Sequence, residues 1–311
     1  MSNINEIIKN TKAASYGREF WNAMRLSKAE SIVLNEGTAP GVHAFFLPSD
    51  DGEELGNTVT AHSAVRPLAT VHKHYQGSVD ILSASNDDYA AFVPEGHLIP
   101  GFDMMDDFSR IRTELFKLAT LVKLPTEFVY DASFDIRGYL VKRLAKNFAN
   151  AEDEAFINGT GADEPTGLLH DTAGAETAAT VDALTYDSII DLFFSVDPEY
   201  RKNAVWMMND ATALALRKLK DADGNYLWNQ ASESILGKPV IISNDMPDAE
   251  SGKKPVLFGD LSYYWIIDRS PASVKALNEL FAANDQVGYV GYEYLDAKLI
   301  RPDAVKVIAI A

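Results

Sequence analysis

Few side chains in this sequence have the types and the spacing that metal chemistry requires. His72 and His74 are two residues apart in a strand-like stretch, so both would lie on one face and could hold a metal ion together with a third ligand. No third ligand is evident, and a solvated face is favoured. The segment 221–225, DADGN, resembles the opening of a calcium loop, but Tyr226 and Ser232 occupy the positions of the required glycine and glutamate. The sequence therefore predicts no metal site.

The sequence also lacks the patterns expected of a catalytic or cofactor-binding site. Gly159 and Gly161 follow a predicted helix, whereas a phosphate-binding loop precedes its helix, so the amides and the helix dipole would point away from a ligand. Carboxylates occur in runs, 50–54 and 106–107, that are typical of solvated turns, and no G-x-S-x-G motif is present. We predict a protein with no enzymatic activity, no catalytic residues and no cofactor. A carboxylate-dependent hydrolase is the remote alternative.

The element that positions most of the chain is a predicted helix over residues 133–158, with Ser133 as its N-cap. Its apolar residues recur every three or four positions and form one stripe that faces a core: Ile136, Leu140, Leu144, Phe148, Ala151 and Ala155. The polar residues between them are expected to face water or a neighbouring molecule: Arg137, Arg143, Lys146, Asn150, Asp153 and Glu154. Gly159 ends the helix, and Gly161 and Pro165 prevent it from continuing.

Composition limits the class of protein. The chain has 311 residues, of which 47% are hydrophobic and 23% are charged, and this suits one or two globular domains. A net charge of −17 argues against a protein that wraps nucleic acid by neutralising phosphates. The absence of cysteine excludes disulfides, thiolate metal sites and cysteine nucleophiles. No stretch approaches the ~18 apolar residues of a membrane-spanning helix, so we expect neither export nor membrane insertion.

The pattern along the chain predicts an arm, a hairpin and two domains. Residues 4–29 are predicted to form a short helix pair broken at Gly17, and 36–63 an extended arm that docks near Phe45. The alternation over 64–108 predicts a long hairpin that lies on a neighbouring subunit, because an isolated ribbon is marginally stable. A long strand is predicted over 111–124. The second domain is predicted to contain a helix over 186–196, a strand over 204–208, a helix capped by Asn209, and strands over 235–243 and from 255. The last predicted strands, over 287–310, return beside the long helix.

Two specific motifs flank the predicted helix: the turn over 125–133 and the run over 154–168, EAFINGTGADEPTGL. Weaker matches extend over 17–310, among them GREFWNAMR, RPLATVHKHYQGS, AFVPEGHLI and LGKPVIISNDMP. Together these stretches resemble the tailed-bacteriophage major capsid proteins of the Hong-Kong-97-type fold. The resemblance implies an α+β fold with an N-terminal arm over 1–65, an extended β-hairpin loop over 66–108, a peripheral domain with the long spine helix over 109–180 and 276–311, and an α/β axial domain over 181–275.

The resemblance implies a structural function. The chain would be a major capsid subunit that self-assembles through hexamers and pentamers into an icosahedral shell around double-stranded DNA, and it would reside in the virion after assembly in the cytoplasm of a bacterial host. An encapsulin-like nanocompartment shell subunit is the alternative. The implied partners are further copies of the chain, a portal, a maturation protease, packaged DNA without sequence-specific contacts, and a separate scaffold. Some members of the family carry an N-terminal scaffolding region, whereas about sixteen residues precede Gly17, so we expect either a separate scaffold or a truncated sequence. No membrane partner is implied.

The residues that the resemblance marks as candidates for contacts between subunits are Glu95, Gly96, Arg143, Gly159, Gly161 and Pro165. The prototype of the family crosslinks a lysine near the tip of the extended loop to a neighbouring chain. No lysine lies between Ala91 and Asp107, so we expect no covalent crosslink by that route.

Overall fold

The computed structural model describes residues 11–12, 14–26, 45–74, 80–84, 92–94, 108–220, 223–228 and 233–311. The helices within these residues are α1 (Ala14–Leu26), α2 (Ser49–His62), α3 (Thr126–Tyr130), α4 (Ile136–Asn158), α5 (Tyr186–Ser195) and α6 (Asp210–Arg217). The strands are β1 (Phe45–Phe46), β2 (Thr70–Lys73), β3 (Asp80–Ala84), β4 (Phe108–Arg112), β5 (Phe116–Pro125), β6 (Glu176–Val181), β7 (Val205–Met208), β8 (Ser234–Ile235), β9 (Lys238–Ile242), β10 (Val256–Gly259), β11 (Tyr264–Leu277), β12 (Gln286–Leu299) and β13 (Val305–Ile310).

Two sheets carry most of the described chain. Strands β1, β11, β12 and β5 form an antiparallel sheet in that order, and β2 adds to β11 in parallel. The second sheet has the order β6–β13–β10–β7–β9–β8, and helices α5 and α6 pack on one of its faces around Trp206 and Phe258. Strands β3 and β4 form a separate antiparallel ribbon. Helices and sheets are therefore mixed. The first core covers the five-stranded sheet. The second core is shared by the two sheets, since it contains Leu257 and Val307 of the six-stranded sheet and Leu295 and Ala297 of the five-stranded sheet.

Helix α4 is the long helix that the periodicity predicts, but its cap was wrong. The Asp135 carboxylate accepts from the Gly138 amide at 3.0 Å and is the N-cap. The Ser133 hydroxyl instead donates to the Asp131 carboxylate at 2.7 Å. Ser133 is therefore used in a turn upstream of the helix. Asp135 serves the helix better because it also places a negative charge at the positive end of the helix dipole.

Helix α4 joins the two cores. Its 23 residues span about 35 Å at a rise of about 1.5 Å per residue. Leu144 and Phe148 pack against the five-stranded sheet, where an added Cβ at Gly291 would meet Leu144 Cδ2 at 2.9 Å. In its last turn, Phe156 and Ile157 enter the second core, to which both sheets contribute residues. The helix therefore fixes the position of one sheet against the other.

The apolar stripe of α4 is confirmed over its first four members, Ile136, Leu140, Leu144 and Phe148, which are fully buried. Ala151 and Ala155 are half-buried. The buried surface turns around the helix at this point because the helix leaves the first sheet and enters the second core, where it is covered on more sides.

The extended arm predicted over 36–63 is described from residue 45, where β1 pairs with β11 near Phe45, and it then forms helix α2. Helix α2 places Asp50 and Asp51 in its first turn, where the helix dipole favours negative charge. Leu55 and Val59 are four residues apart and buried in the first core. Two apolar residues at helical spacing are sufficient here because α4 covers them. Likewise, α1 runs without a break through Gly17, so the break predicted at this residue was wrong. Of the helix pair predicted over 4–29, residues 4–10 and 27–29 lie outside the described residues.

The long strand predicted over 111–124 is two strands. The chain leaves β4 after Arg112 and enters β5 at Phe116. Between them the Glu114 amide donates to the buried Asp296 carboxylate at 2.7 Å. The Asp296 side chain therefore takes the place of the backbone carbonyl that a neighbouring strand would provide. The alternation of apolar residues does not predict this interruption of the strand.

The predicted hairpin over 64–108 corresponds to two separate pairings in the described residues. Strands β3 and β4 pair antiparallel, whereas β2 joins β11 of the five-stranded sheet. The closing segment also divides, because β12 returns beside α4 as predicted but β13 enters the six-stranded sheet. Strand β11 belongs to the five-stranded sheet, although most of it falls in the range predicted for the axial domain. Strands β6 and β13 belong to the six-stranded sheet, although they fall in the ranges predicted for the peripheral domain, apart from the last residue of β6.

Candidate assembly surfaces

The turn that ends α4 folds back onto the helix. The Gly159 amide donates to the Ala155 carbonyl at 2.9 Å, and the Gly167 amide donates to the Gly159 carbonyl at 2.9 Å. An added Cβ at Gly159 would lie 2.1 Å from the Pro165 carbonyl oxygen, and Gly161 has a φ of +73°. Side chains would therefore clash at the first position and strain the backbone at the second.

This turn determines where three of the predicted contact residues lie. Gly159 and Pro165 are buried within the subunit, and Gly161 is half-buried. The exposed residues of the turn are Thr160, Ala162 and Asp163. The glycines and the proline therefore shape a loop whose surface is presented by the residues between them. Glu95 and Gly96 lie outside the described residues.

Arg143 is exposed and belongs to a basic face of α4. Lys142 and Lys146 are exposed on the same side. Among the described residues, none of these three cations has a carboxylate within 4.0 Å, whereas Arg137 lies with its Nε 2.5 Å from Asp51. Within the part of the chain that the structure describes, the face is thus a patch of unpaired positive charge, and the net charge of the chain is −17.

An aromatic cluster extends the basic face toward the start of α4. The rings of Phe128 and Phe134 lie 5.3 Å apart, and those of Phe134 and Tyr139 lie 5.7 Å apart. Phe128 is 45% exposed and Tyr139 is 40% exposed. Exposed aromatic residues beside arginine are typical of protein–protein interfaces.

Helix α2 carries charge of the opposite sign. Asp50, Glu53, Glu54 and Asn57 are exposed along one side of the helix and border an open, shallow surface, which we name the acidic groove. Asp51 points inward, accepts from the Trp21 indole at 2.6 Å and pairs with Arg137. The groove is therefore acidic, and its position beside α4 is held by the Asp51–Arg137 contact.

A buried group of charges lies behind these surfaces. The Arg66 guanidinium donates to the Glu152 carboxylate through Nε at 2.5 Å and through Nη2 at 2.8 Å, and it contacts Asp268 at 3.0 Å. Arg66 is 8% exposed and Glu152 is 1% exposed. Burial alone would lower the pKa of Arg66, but the two carboxylates hold it well above its usual range. Arg66 therefore stays charged and joins α4 to β11.

Asp153, the next residue of α4, holds the chain that leaves α2. Its carboxylate accepts from the Ser63 hydroxyl at 2.5 Å and from the Ala64 and Val65 amides at 2.7 and 3.3 Å. We name Arg66, Glu152, Asp153, Asp268 and Ser63 the buried joint. It connects the arm, the long helix and the five-stranded sheet through hydrogen bonds rather than apolar contact.

Glu293 on β12 lies beside the joint, and among the described residues no cation lies within 4.0 Å of its carboxylate. It lines a cleft of about 600 Å³ between α2 and strands β11 and β12, together with Arg66 and Asp268. Desolvation raises the pKa of the Glu293 carboxyl well above its usual range, and the charges of Glu152 and Asp268 raise it further, while Arg66 opposes the shift. The neutral acid is the form that this environment favours.

The sequence prediction missed the joint. Asp153 was expected on the polar face of α4 but is buried, and Glu152 was not singled out. A signal is present in retrospect, because Glu152 follows Ala145 and Phe148 and precedes Phe156 at helical spacing, which places it among buried residues. Its partner is 86 residues away, and nothing in the local pattern identifies Arg66.

The candidate metal ligands of the sequence do not come together in the described residues. Within them no group of three or more His, Asp or Glu side chains is placed to hold a metal. His72 packs against the ring of Trp265 at 4.7 Å between centroids, and His74 is exposed. In this part of the chain no helix has the length and apolarity needed to cross a membrane.

Comparison with known proteins decides the family. The model of the phage capsid family matches residues 44–310. The chain belongs to the phage capsid family. It is a structural major capsid subunit, and its α+β fold is the phage major capsid fold, as the sequence motifs indicated.

Solved capsids resemble this family member over most of its length. The capsid of a native GTA particle, computed with C5 symmetry, has a TM-score of 0.69 and 29% identity and covers 92% of this chain and 98% of its own. The capsid of an empty GTA particle, also computed with C5 symmetry, has a TM-score of 0.66 and 30% identity over 80% of this chain and 90% of its own. A chain of Microbacterium phage Oxtober96 shares the fold at a TM-score of 0.59 and 19% identity, over 80% and 91%. No curated protein matches the sequence.

Proposed function

We propose that this capsid subunit self-assembles through hexamers and pentamers into an icosahedral shell that encloses double-stranded DNA. The observation that carries the proposal is the similarity at about 30% identity to capsids computed with five-fold symmetry. A subunit whose contacts join different patches on successive copies can close into rings, and rings of five and six can tile a closed shell. The exposed cations of α4 and the acidic groove of α2 provide two such different patches.

The charge of the chain supports packaged DNA without sequence-specific contacts. A lining that neutralised many phosphates would bind DNA tightly, since each phosphate contact adds a salt-dependent contribution to affinity. With a net charge of −17, the subunit would leave most of the DNA free to move during packaging.

The proposal includes the remaining expectations for a capsid subunit. It has no enzymatic role, it resides in the virion after assembly in the cytoplasm of a bacterial host, and it acts with a separate scaffold, a portal and a maturation protease. Arg143, Gly159, Gly161, Pro165, Glu95 and Gly96 remain the candidates for contacts between subunits. The five-stranded sheet with α4 corresponds to the peripheral domain, and the six-stranded sheet corresponds to the axial domain.

The test is electron microscopy of the full chain, expressed alone and from the gene cluster that surrounds it. Closed particles that contain DNA or are emptied of it are the expected result. Small shells filled with protein cargo would favour an encapsulin-like compartment instead. A chain that stays monomeric in both preparations, or that turns over a substrate, would contradict the proposal.

A further inference from the structure

We propose that the basic face of α4 in one subunit docks on the acidic groove of α2 in a second copy of the chain. The basic face consists of Lys142, Arg143 and Lys146, and the acidic groove is lined by Asp50, Glu53, Glu54 and Asn57. The inference rests on the proposed self-assembly and names one contact that would build it.

The two surfaces point in different directions from the same pair of helices. Arg137 faces α2, because it pairs with Asp51 and lies 3.6 Å from Glu54. At about 100° per residue, Lys142, Lys146 and Arg143 lie about 140°, 180° and 240° around the helix from Arg137. The basic face therefore lies on the flank of α4 opposite to α2, and one subunit cannot bring its own two surfaces together.

This placement suits a contact that repeats from copy to copy. A positive flank on one side and a negative groove on the other allow each subunit to meet the next in the same orientation, and this heterologous contact generates rings. The exposed rings of Phe128 and Tyr139 border the basic face and supply apolar area that a purely ionic contact would lack. Aromatic residues of this kind carry much of the binding energy in protein interfaces.

A second copy fits the basic face better than DNA does. The acidic groove has the opposite charge and is part of the same chain. Every copy that presents a basic face therefore also presents an acidic groove, so the two surfaces are present in equal numbers. Three cations on a subunit with a net charge of −17 form a small patch, whereas proteins that bind the DNA backbone commonly use about six to ten phosphate contacts.

A charge-swap experiment tests the pairing. In the first variant, Arg143→Glu and Lys146→Glu reverse the basic face; in the second, Asp50→Lys and Glu53→Lys reverse the groove. Like charges would then face each other, and we expect the yield of particles to fall roughly tenfold or more in each variant. The variant with all four changes keeps the net charge of −17 and should recover particles, because the charges are again complementary.

The matched control reverses two exposed cations outside α4, with Lys218→Glu and Lys253→Glu. It has the same net charge as the first variant, so any loss of particles common to both would come from overall charge and would overturn the proposal. Circular dichroism and the melting temperature show that each variant is folded. Particle formation is measured by light scattering and electron microscopy at low and high salt.

A crosslinking experiment tests the same contact in assembled particles. The chain has no cysteine, so Glu53→Cys combined with Lys146→Cys provides the only two thiols for a short bismaleimide. A ladder of linked subunits is expected, whereas Glu53→Cys with Lys253→Cys should remain monomeric on a denaturing gel. Absence of a ladder from the first pair would overturn the contact.

The outcomes separate this inference from the proposed function. Particles from the wild-type chain and equally from the first variant would overturn the contact and leave the capsid function intact. Particles from the first variant that no longer retain DNA would assign the basic face to nucleic acid instead. Failure of the wild-type chain to form particles would overturn the proposed function and this contact with it.

Discussion

Charged residues on helix α4 occupy two contrasting environments. In the last two turns, Glu152 and Asp153 are buried and fully engaged with Arg66 and Ser63. Two turns earlier, Lys142, Arg143 and Lys146 are exposed and have no carboxylate nearby among the described residues. Breaking a buried pair leaves a desolvated charge and costs much more than changing an exposed one. The first group therefore maintains the subunit, and the second is free to act between subunits.

The most severe change on α4 is Leu144→Asp. It places a carboxylate at a position that is 1% exposed, packed against Phe148 in an apolar core, where burial of a charge is costly. We expect the cooperative unfolding transition to disappear. The milder Leu144→Ala should lower the free energy of unfolding by about 2–5 kcal/mol, as measured by urea denaturation. A Leu144→Asp chain that unfolds cooperatively with near wild-type stability would refute the assignment of this face to the core.

The next largest effect is expected from Arg66→Met, which removes the cation from the buried joint. Glu152 would be left buried without its partner, and the free energy of unfolding should fall by about 3–5 kcal/mol. The control is Arg110→Met, since Arg110 pairs with Asp80 on the surface and its side chain is 72% exposed. That change should cost about 0–1 kcal/mol. Equal losses in the two variants would remove the distinction between buried and exposed charges.

A smaller, pH-dependent effect is expected from Glu293→Gln. Because the pKa of Glu293 is raised in the folded subunit, the folded state binds more protons than the unfolded chain between the usual glutamate pKa of about 4.3 and the raised value. The free energy of unfolding should therefore fall as the pH rises through this window. The glutamine variant should lose this part of the decline.

The groups that face Glu293 are Arg66, Glu152 and Asp268, and they are unchanged in the glutamine variant. The difference between the two pH profiles, measured by urea denaturation from acid to neutral pH, reports the titration of Glu293 together with its interaction with Glu152. Parallel profiles would show that its carboxyl titrates normally in the folded subunit.

The smallest effect on stability is expected from Arg143→Glu. The side chain is exposed and unpaired among the described residues, so the free energy of unfolding should change by less than about 0.5 kcal/mol. Assembly should nevertheless be disturbed, and soluble, folded but unassembled protein is the expected result in light scattering. A variant that forms normal particles would show that this exposed charge serves neither folding nor assembly.

Short sequence patterns correctly predicted the helices and strands that are determined by neighbouring residues in the sequence. The helix that Asn209 caps, through the Thr212 amide at 2.7 Å, was predicted from the cap residue alone. The apolar helix beginning at Tyr186 and the buried strand over 205–208 were also predicted from short runs. Helix α2 was missed because Leu55 and Val59 are too few to define a face without α4 beside them.

The surfaces were harder to predict than the elements. Arg143 was correctly expected to be exposed, since exposure follows from the helical period around Leu140 and Leu144. The sequence predicts Gly159 and Pro165 as contact residues, but both are buried, because the turn folds back on the helix through the amides of Gly167 and Leu168. A glycine-rich run shows that the chain turns but does not show which atoms the turn covers.

The sequence by itself determined that one long helix, ended by Gly159, organises the chain and that the chain resembles phage capsid proteins. Both follow from local order, because an apolar residue every three or four positions defines one face and a glycine permits the stop. Only the tertiary structure decided that Glu152 and Asp153 turn inward, that β13 leaves β12 for the other sheet, and that the charged faces of α4 and α2 point apart. These depend on partners up to 202 residues away, such as Asp268 for Arg66, and a spacing rule contains no information about such distances.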